Sequence, residues 1–256
     1  MHGRKKADSI KSPEELAARE EKVKKYTKLL SIISGLRSNG VKSDEALNLL
    51  STALRLNPDN YSLWNYRREI LLEVYSKEEN GVRTLTLEED QRAGELQLTQ
   101  DGIGRNPKSY PAWHQRQWLI IHLDSPDLSQ ELDLCALFLQ RDGRNFHCWN
   151  YRQFIVNKMG RTPAEEMEFL TSKIDENFSN YSAWHYRARL LPGLAHSVAK
   201  GGAGGPSPGG EDPRVTLLRR ELDHVEQIVF TEPDDQSVWW YLRHLLAWAR
   251  GLEEGG

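Results

Sequence analysis

The chain has 256 residues, 38% apolar and 28% charged, enough for one large domain or two small ones with a substantial core. Its 34 basic and 37 acidic residues leave a net charge of -3, which excludes a global pull toward nucleic acid or an anionic membrane and confines any basic patch to a local one. The mean hydropathy of -0.66 fits helical repeat proteins with charged outer faces. Two cysteines, Cys135 and Cys148, exclude a disulfide framework and cannot alone build a zinc site, so they read as buried free thiols in a reducing compartment. The opening MHGRKKADSI is charged where a signal peptide needs an apolar core. The longest apolar runs, near Trp118 to Ile121, are far too short to span a bilayer. A soluble, cytoplasmic protein with no transmembrane segment is expected.

Helix signals begin at Ser12-Pro13-Glu14-Glu15, which combines an N-cap serine, proline at the first helical position and glutamate three residues after the cap. Thr86-Leu87-Glu88-Glu89 repeats the arrangement without proline, and Thr162-Pro163-Ala164-Glu165 repeats it in full. Asn39-Gly40 ends a helical pattern. Strand signals are nearly absent, with no Asn-Gly hairpin between β-branched runs, so the fold class is all-α. Amphipathic helices are expected over Gln130 to Gln140 and Glu165 to Ile174.

A repeat then sets the architecture. Four segments align directly at residues 60–67, 109–116, 145–152 and 180–187, each placing an aromatic three residues before a tryptophan and an arginine three residues after it. These pairs are Trp64 with Arg67, Trp113 with Arg116, Trp149 with Arg152 and Trp184 with Arg187. A fifth copy at 235–243 keeps Trp239 but has lost the leading aromatic and shifted its arginine by one. The tryptophans are spaced by 49, 36, 35 and 55 residues; the short intervals fit one helical hairpin per repeat and the long ones imply insertions. One insertion is the Gly/Pro/Ser-rich stretch within 196–212, expected to be a flexible loop, and the other lies between Ser76 and Thr86. The expected organisation is a charged, partly flexible segment 1–22 and a hairpin repeat domain 23–250, stacked as a right-handed α-α superhelix. Asn or Ser at the head of each motif would cap its helix, tryptophan would supply buried area, and arginine would stack on aromatics or clamp carbonyls of a neighbouring helix.

From about Leu47 to Leu246 this pattern resembles the α subunit of protein prenyltransferases, whose repeats read Pro-x-Asn-Tyr-x-x-Trp-x-x-Arg. Tetratricopeptide arrays, the nearest competitor, have a Trp-x-x-Leu-Gly-x-x-Tyr signature that is missing here. Within the family, Met1-His2-Gly3-Arg4, Asn106 to Tyr110, Arg144 to Trp149, Asn177 to Ser182 and Asp235-Gln236-Ser237 look most like the Rab-type (type II) geranylgeranyltransferase branch. The α subunit shared by farnesyltransferase and type I geranylgeranyltransferase carries the same repeats and is the alternative, as is a helical-repeat scaffold without chemistry. Animal Rab-type α subunits carry an immunoglobulin-like insert and a leucine-rich-repeat tail, neither of which is legible in this sequence. Simpler eukaryotic forms resemble it in that respect, and a sequence ending just after the fifth repeat is also what a shortened chain or a fragment would show.

No complete active site is legible: there is no His-Glu-x-x-His, no zinc spacing, no phosphate-binding glycine loop and no Ser/His/Asp grouping. The resemblance accounts for this by implying a crescent-shaped subunit wrapped around a catalytic β subunit that holds Zn2+ and the isoprenoid pocket. It further implies Rab GTPase substrates brought by a Rab escort protein docking between roughly Pro163 and His244, and geranylgeranyl diphosphate as donor. By the same resemblance Lys108 is assigned to the diphosphate, with Tyr110 beside it. Asn145, Phe146 and His147 are assigned to the rim of the site or the β-subunit interface, and His2 to a self-ligand on the partner's zinc. No metal is expected within this chain and no nucleic acid as partner.

Overall fold

Each hairpin of the computed structural model, which describes residues 12–199 and 212–254, is closed by the same two devices. One is a side-chain-capped turn and the other is a tryptophan that reaches back across it. The first helix, α1 (Pro13–Ser38), starts where Ser12 Oγ accepts the Glu15 amide at 3.2 Å and the Glu15 carboxylate accepts the Ser12 amide at 3.0 Å. It stops at Asn39 and Gly40, whose φ of +67° suits glycine. Only Ile33 of α1 is buried, so this helix packs through its C-terminal half. α2 (Asp44–Leu56) and α3 (Tyr61–Val74) form the first hairpin. α4 (Glu89–Arg105) and α5 (Tyr110–His122) form the second, and these helices belong to a compact unit spanning Met1–Pro126.

The all-α class holds, and what the reading of the sequence did not expect is a pair of short strands, β1 (Ser76–Glu79) and β2 (Val82–Leu85), joined by an Asn-Gly turn. Asn80 and Gly81 take φ of 53° and 78°, the two left-handed positions of a type I′ turn. Half of the strand residues are charged and β1 has no β-branched residue, which hid the strands from a search for β-branched runs. This hairpin is the inserted material between Ser76 and Thr86. The expected Thr86 cap is also corrected: the Thr86 amide and hydroxyl both donate to Tyr75 O, closing the insertion, and α4 instead begins after Glu88, whose amide donates to Gln91 Oε1 at 3.1 Å.

The second unit, Asp127–Gly256, holds three further hairpins. They are α6 (Leu128–Arg141) with α7 (Phe146–Met159), α8 (Pro163–Glu176) with α9 (Tyr181–Ala199), and α10 (Pro213–Thr231) with α11 (Gln236–Glu254). The expected helices at 130–140 and 165–174 fall inside α6 and α8, and the Thr162–Glu165 capping box is formed. α9 runs on to Ala199, so the first residues of the segment assigned to the 196–212 insertion are helical; residues 200–211 lie outside the described residues. Cys135 and Cys148 are free and buried, and the Cys135 thiol is pushed well up by its hydrogen bond with Cys148 and by burial.

Candidate functional site

The five tryptophans repeat one hydrogen bond. Each indole N–H donates to the carbonyl six residues upstream: Trp64 to Pro58, Trp113 to Pro107, Trp149 to Gly143, Trp184 to Phe178 and Trp239 to Pro233, at 2.7–2.9 Å. In the first four copies an Asx side chain also accepts the amide two residues on, at 3.1 Å, as in Asn57 to Asp59, Asn106 to Lys108, Asp142 to Arg144 and Asn177 to Ser179. The turn is thus fixed before any side chain on it acts. The first four tryptophans are at most 5% exposed, whereas Trp239 is 39% exposed. Ser109, Asn145 and Asn180 cap their helices as expected. Asn60 does not; its amide donates to Tyr26 Oη instead.

The arginines staple successive helices. Arg67 donates to Leu47 O and Ser51 Oγ on α2 and bidentately to Glu95 on α4. Arg187 donates to Thr171 Oγ1 on α8 and bidentately to Glu221 on α10. Arg152 pairs bidentately with Glu166 and lies over the Phe169 ring at 3.3 Å. Arg116 donates to Leu96 O and Thr99 Oγ1. These residues are scaffold. The fifth motif has half-buried Leu242 at the arginine position, and Tyr241 Oη donates to Glu221 at 2.6 Å. The glutamates were missed in the sequence, although Glu95, Glu131, Glu166 and Glu221 each stand 18 residues before a motif tryptophan.

On this frame, Lys108 occupies the turn between α4 and α5. Asn106 Oδ1 accepts its amide, while Asn106 Nδ2 donates to both Asp59 oxygens, at 3.1 and 2.8 Å. Ser109, 1% exposed, caps α5 and donates to Pro58 O at 3.3 Å. The backbone around Lys108 is therefore held from both sides while its side chain is exposed, with no carboxylate partner among the described residues. Tyr110, at the first position of α5, is 67% exposed. An ammonium and a phenol rooted on a fixed turn at a helix N-terminus are suited to meet an oxyanion.

In the second unit, Asn145 is buried as the α7 cap, Phe146 is 49% exposed, and its ring lies 3.9 Å from that of His147. His147 is 7% exposed, and burial lowers its pKa, favouring the neutral ring. His2 lies outside the described residues. Among the described residues no group of three His, Cys, Asp or Glu side chains is placed to hold a metal, and no helix is long and apolar enough to cross a membrane.

Sequence reading also missed a cluster between α3 and α5. Arg68 Nε donates to Gln115 Oε1 at 2.6 Å, Arg68 Nη2 meets His114 Nδ1 at 2.8 Å, and the guanidinium lies over Trp118 at 5.7 Å. Burial lowers the Arg68 pKa, and burial together with the Arg68 charge lowers that of His114. A neutral His114 ring accepts from Arg68.

The repeat family described as "Protein prenyltransferase alpha subunit repeat" matches residues 43–74, 93–123, 128–159, 163–194 and 218–249. A Bos taurus protein named "Geranylgeranyl transferase type-2 subunit alpha" is 43% identical over 253 residues, and its Homo sapiens counterpart is 41% identical over 251. Both alignments take in 96% of this chain but only 42% of the relative. The Candida albicans protein of the same name is 33% identical over 249 residues, covering 88% of this chain and 67% of its own length. A chain of the solved structure "Candida albicans protein geranylgeranyltransferase-I complexed with GGPP" superposes with a TM-score of 0.65 over 87% of this chain and 66% of its own length; at 22% identity it bears on the fold alone.

Proposed function

The chain belongs to the protein prenyltransferase alpha subunit family, and from that premise we propose that it serves as the α subunit of a Rab-type (type II) protein geranylgeranyltransferase. The observation that carries this reading is identity of 41–43%, across 96% of the chain, to relatives named as type-2 α subunits. In this reading the chain works in the cytoplasm as half of a heterodimer. A partner β subunit holds the isoprenoid and Zn2+, which when bound there supplies the substrate cysteine as a thiolate. The sulfur bonds to C1 of geranylgeranyl diphosphate as the C1–O bond breaks, and diphosphate leaves with the electron pair.

Negative charge then grows on the leaving oxygens, and a cation already in place lowers that barrier without reorganising. Lys108 is the residue the family resemblance assigns to this role, and the assignment is supported by a turn fixed by Asn106, Ser109 and Trp113 and by an ammonium with no acid of its own among the described residues. Tyr110 lies beside it as a donor. Asn145, Phe146 and His147 are assigned to the partner interface, where exposed Phe146 offers contact area and buried His147 backs it. His2 is assigned to a self-ligand on the partner's zinc. Rab GTPases reach the heterodimer on an escort protein, for which the α8 to α11 surface is the assigned dock.

The test is co-expression with type II and type I prenyltransferase β subunits, followed by isoprenoid transfer to an escort-bound Rab and to a protein ending in a Cys-a-a-X box. A stoichiometric complex with the type II partner and transfer to the Rab is expected. Absence of any stable complex overturns the reading, and a complex active only on the Cys-a-a-X protein replaces it with the type I assignment.

A further inference from the structure

Five arginines of the first unit sit on α1, α2 and α3; Arg19 is exposed, and Arg68 differs from Arg37, Arg55 and Arg67 in what it touches. Arg67 is paired with Glu95, Arg37 with Glu69 and Arg55 with Asp101. Arg68 is half-buried, yet its hydrogen-bond partners are the neutral Gln115 and His114, with Tyr61 adding a favourable contact. No acid reaches it among the described residues. A charge withdrawn this far from water is normally neutralised by a partner. Here the neutral groups aim it: Gln115 Oε1 and His114 Nδ1 hold Nε and Nη2, and the guanidinium carbon lies over the Trp118 ring, 5.7 Å from its centroid. The remaining guanidinium donors keep capacity for another acceptor.

The surroundings indicate what kind of molecule comes. Along α3, residues Tyr61, Arg68 and Leu72 fall on one stripe at helical spacing; along α5, Tyr110, His114, Trp118 and Ile121 do the same. Tyr61 is 53% exposed, Tyr110 67% and Ile121 52%, while Leu72 and Trp118 are half-buried. Tyrosine, tryptophan and arginine set among aliphatic residues are the composition of protein-interface hot spots. A free phosphate is a poorer match, because it would ask for more than one cation, and Arg68 sits among neutral groups.

We propose that Arg68 is the anchor of a protein-docking face on α3 and α5, and that the partner fills it with an Asp or Glu side chain presented from an apolar surround. This rests on the reading of the chain as one subunit of a heterodimer, and it adds the residue and the chemistry through which that partner is recognised. The partner carboxylate would meet the guanidinium side-on, and the Tyr61, Trp118 and Ile121 side chains would exclude water around the pair.

The experiment measures binding of the full chain to a purified type II β subunit at 50 and 300 mM NaCl, for wild type, Arg68→Gln, Arg68→Lys and Arg68→Glu. Arg68→Gln is expected to weaken binding on the order of 30-fold and Arg68→Glu further, with Arg68→Lys in between. One Asp or Glu to Lys change on the β subunit should restore binding selectively to Arg68→Glu. Melting curves establish that each variant is folded; if Arg68→Gln unfolds, the affinity of Arg68→Lys, which keeps the charge, decides the question. Wild-type affinity in folded Arg68→Glu overturns the inference while leaving the heterodimer reading intact, whereas failure of wild type to bind the β subunit overturns that reading itself. Saturable binding of inorganic phosphate or diphosphate to the isolated chain, abolished in Arg68→Gln, also overturns the inference and assigns the face to a free anion.

Discussion

Arg67 and Glu95 meet side-on from two successive hairpins, Nε to Oε2 at 2.7 Å and Nη2 to Oε1 at 2.5 Å, each side chain 6% exposed. Arg187 and Glu221 repeat the pair at 7% and 5% exposure. Because both charges are out of water, removing one strands the other. Arg67→Met or Glu95→Leu should each destabilise the chain by about 3–5 kcal/mol, while the two changes together should cost far less. Denaturant unfolding of the two single variants and the double variant closes the cycle. Additive losses in the double variant would show that the pair does not act as a unit.

Asp235 gives the clearest pH signature. Burial raises its pKa, but hydrogen bonds from the Ser179 hydroxyl and the Ser237 and Val238 amides together outweigh burial and hold the carboxyl below its ordinary 3.8. A depressed carboxylate stabilises the fold above its unfolded pKa and loses that contribution as pH falls through the folded one. Asp235→Asn should therefore lower the melting temperature at pH 7 by about 1–2 °C, since solvent screening limits the effect. The gap between variant and wild type should close below about pH 4. Melting curves from pH 7 to pH 3 check both statements, and a gap independent of pH would assign the effect to packing.

The tryptophan motif made the hairpins legible because a bulky aromatic at fixed spacing reports the same turn each time; all five indoles make the bond to the carbonyl six residues upstream. The buried glutamates were harder to see. A glutamate inside a charged amphipathic helix looks like any solvated one, and only its fixed distance from the next tryptophan marks it. Arg68 was invisible for a related reason: its partners, Gln115 and His114, are 47 and 46 residues away on another helix. Lys108 was assigned through family resemblance, since one exposed lysine carries little signal of its own. Its fixed turn, with Asn106 and Trp113 locking the backbone, is information only coordinates supply.

The β1–β2 hairpin offers a local test. Gly81 has φ of 78° and open space around the position of a Cβ, so Gly81→Val meets backbone strain and no clash. The penalty should be about 1–2 kcal/mol and confined to the hairpin. Hydrogen exchange should show faster exchange at the Ser76–Leu85 ladder and unchanged protection in α3 and α5. Loss of protection in those helices would mean that the hairpin braces them.

The last prediction separates chemistry from assembly at Lys108. Its side chain is exposed and has no carboxylate partner among the described residues, so Lys108→Ala should leave the melting temperature within about 1 °C of wild type, as for ordinary surface changes. It should also leave association with the β subunit unchanged, in contrast to Arg68→Gln. Within the heterodimer, single-turnover transfer should fall on the order of 10²-fold, the scale for removing one preorganised group that stabilises transition-state charge. Lys108→Arg, which keeps the charge on a longer, planar head, should recover part of the rate. Because the interaction strengthens as the leaving group takes up charge, the loss should appear in the chemical step rather than in donor affinity. Rapid-quench measurement at saturating geranylgeranyl diphosphate tests this directly. An unchanged single-turnover rate would remove Lys108 from the reaction and leave it as a surface residue on a well-fixed turn.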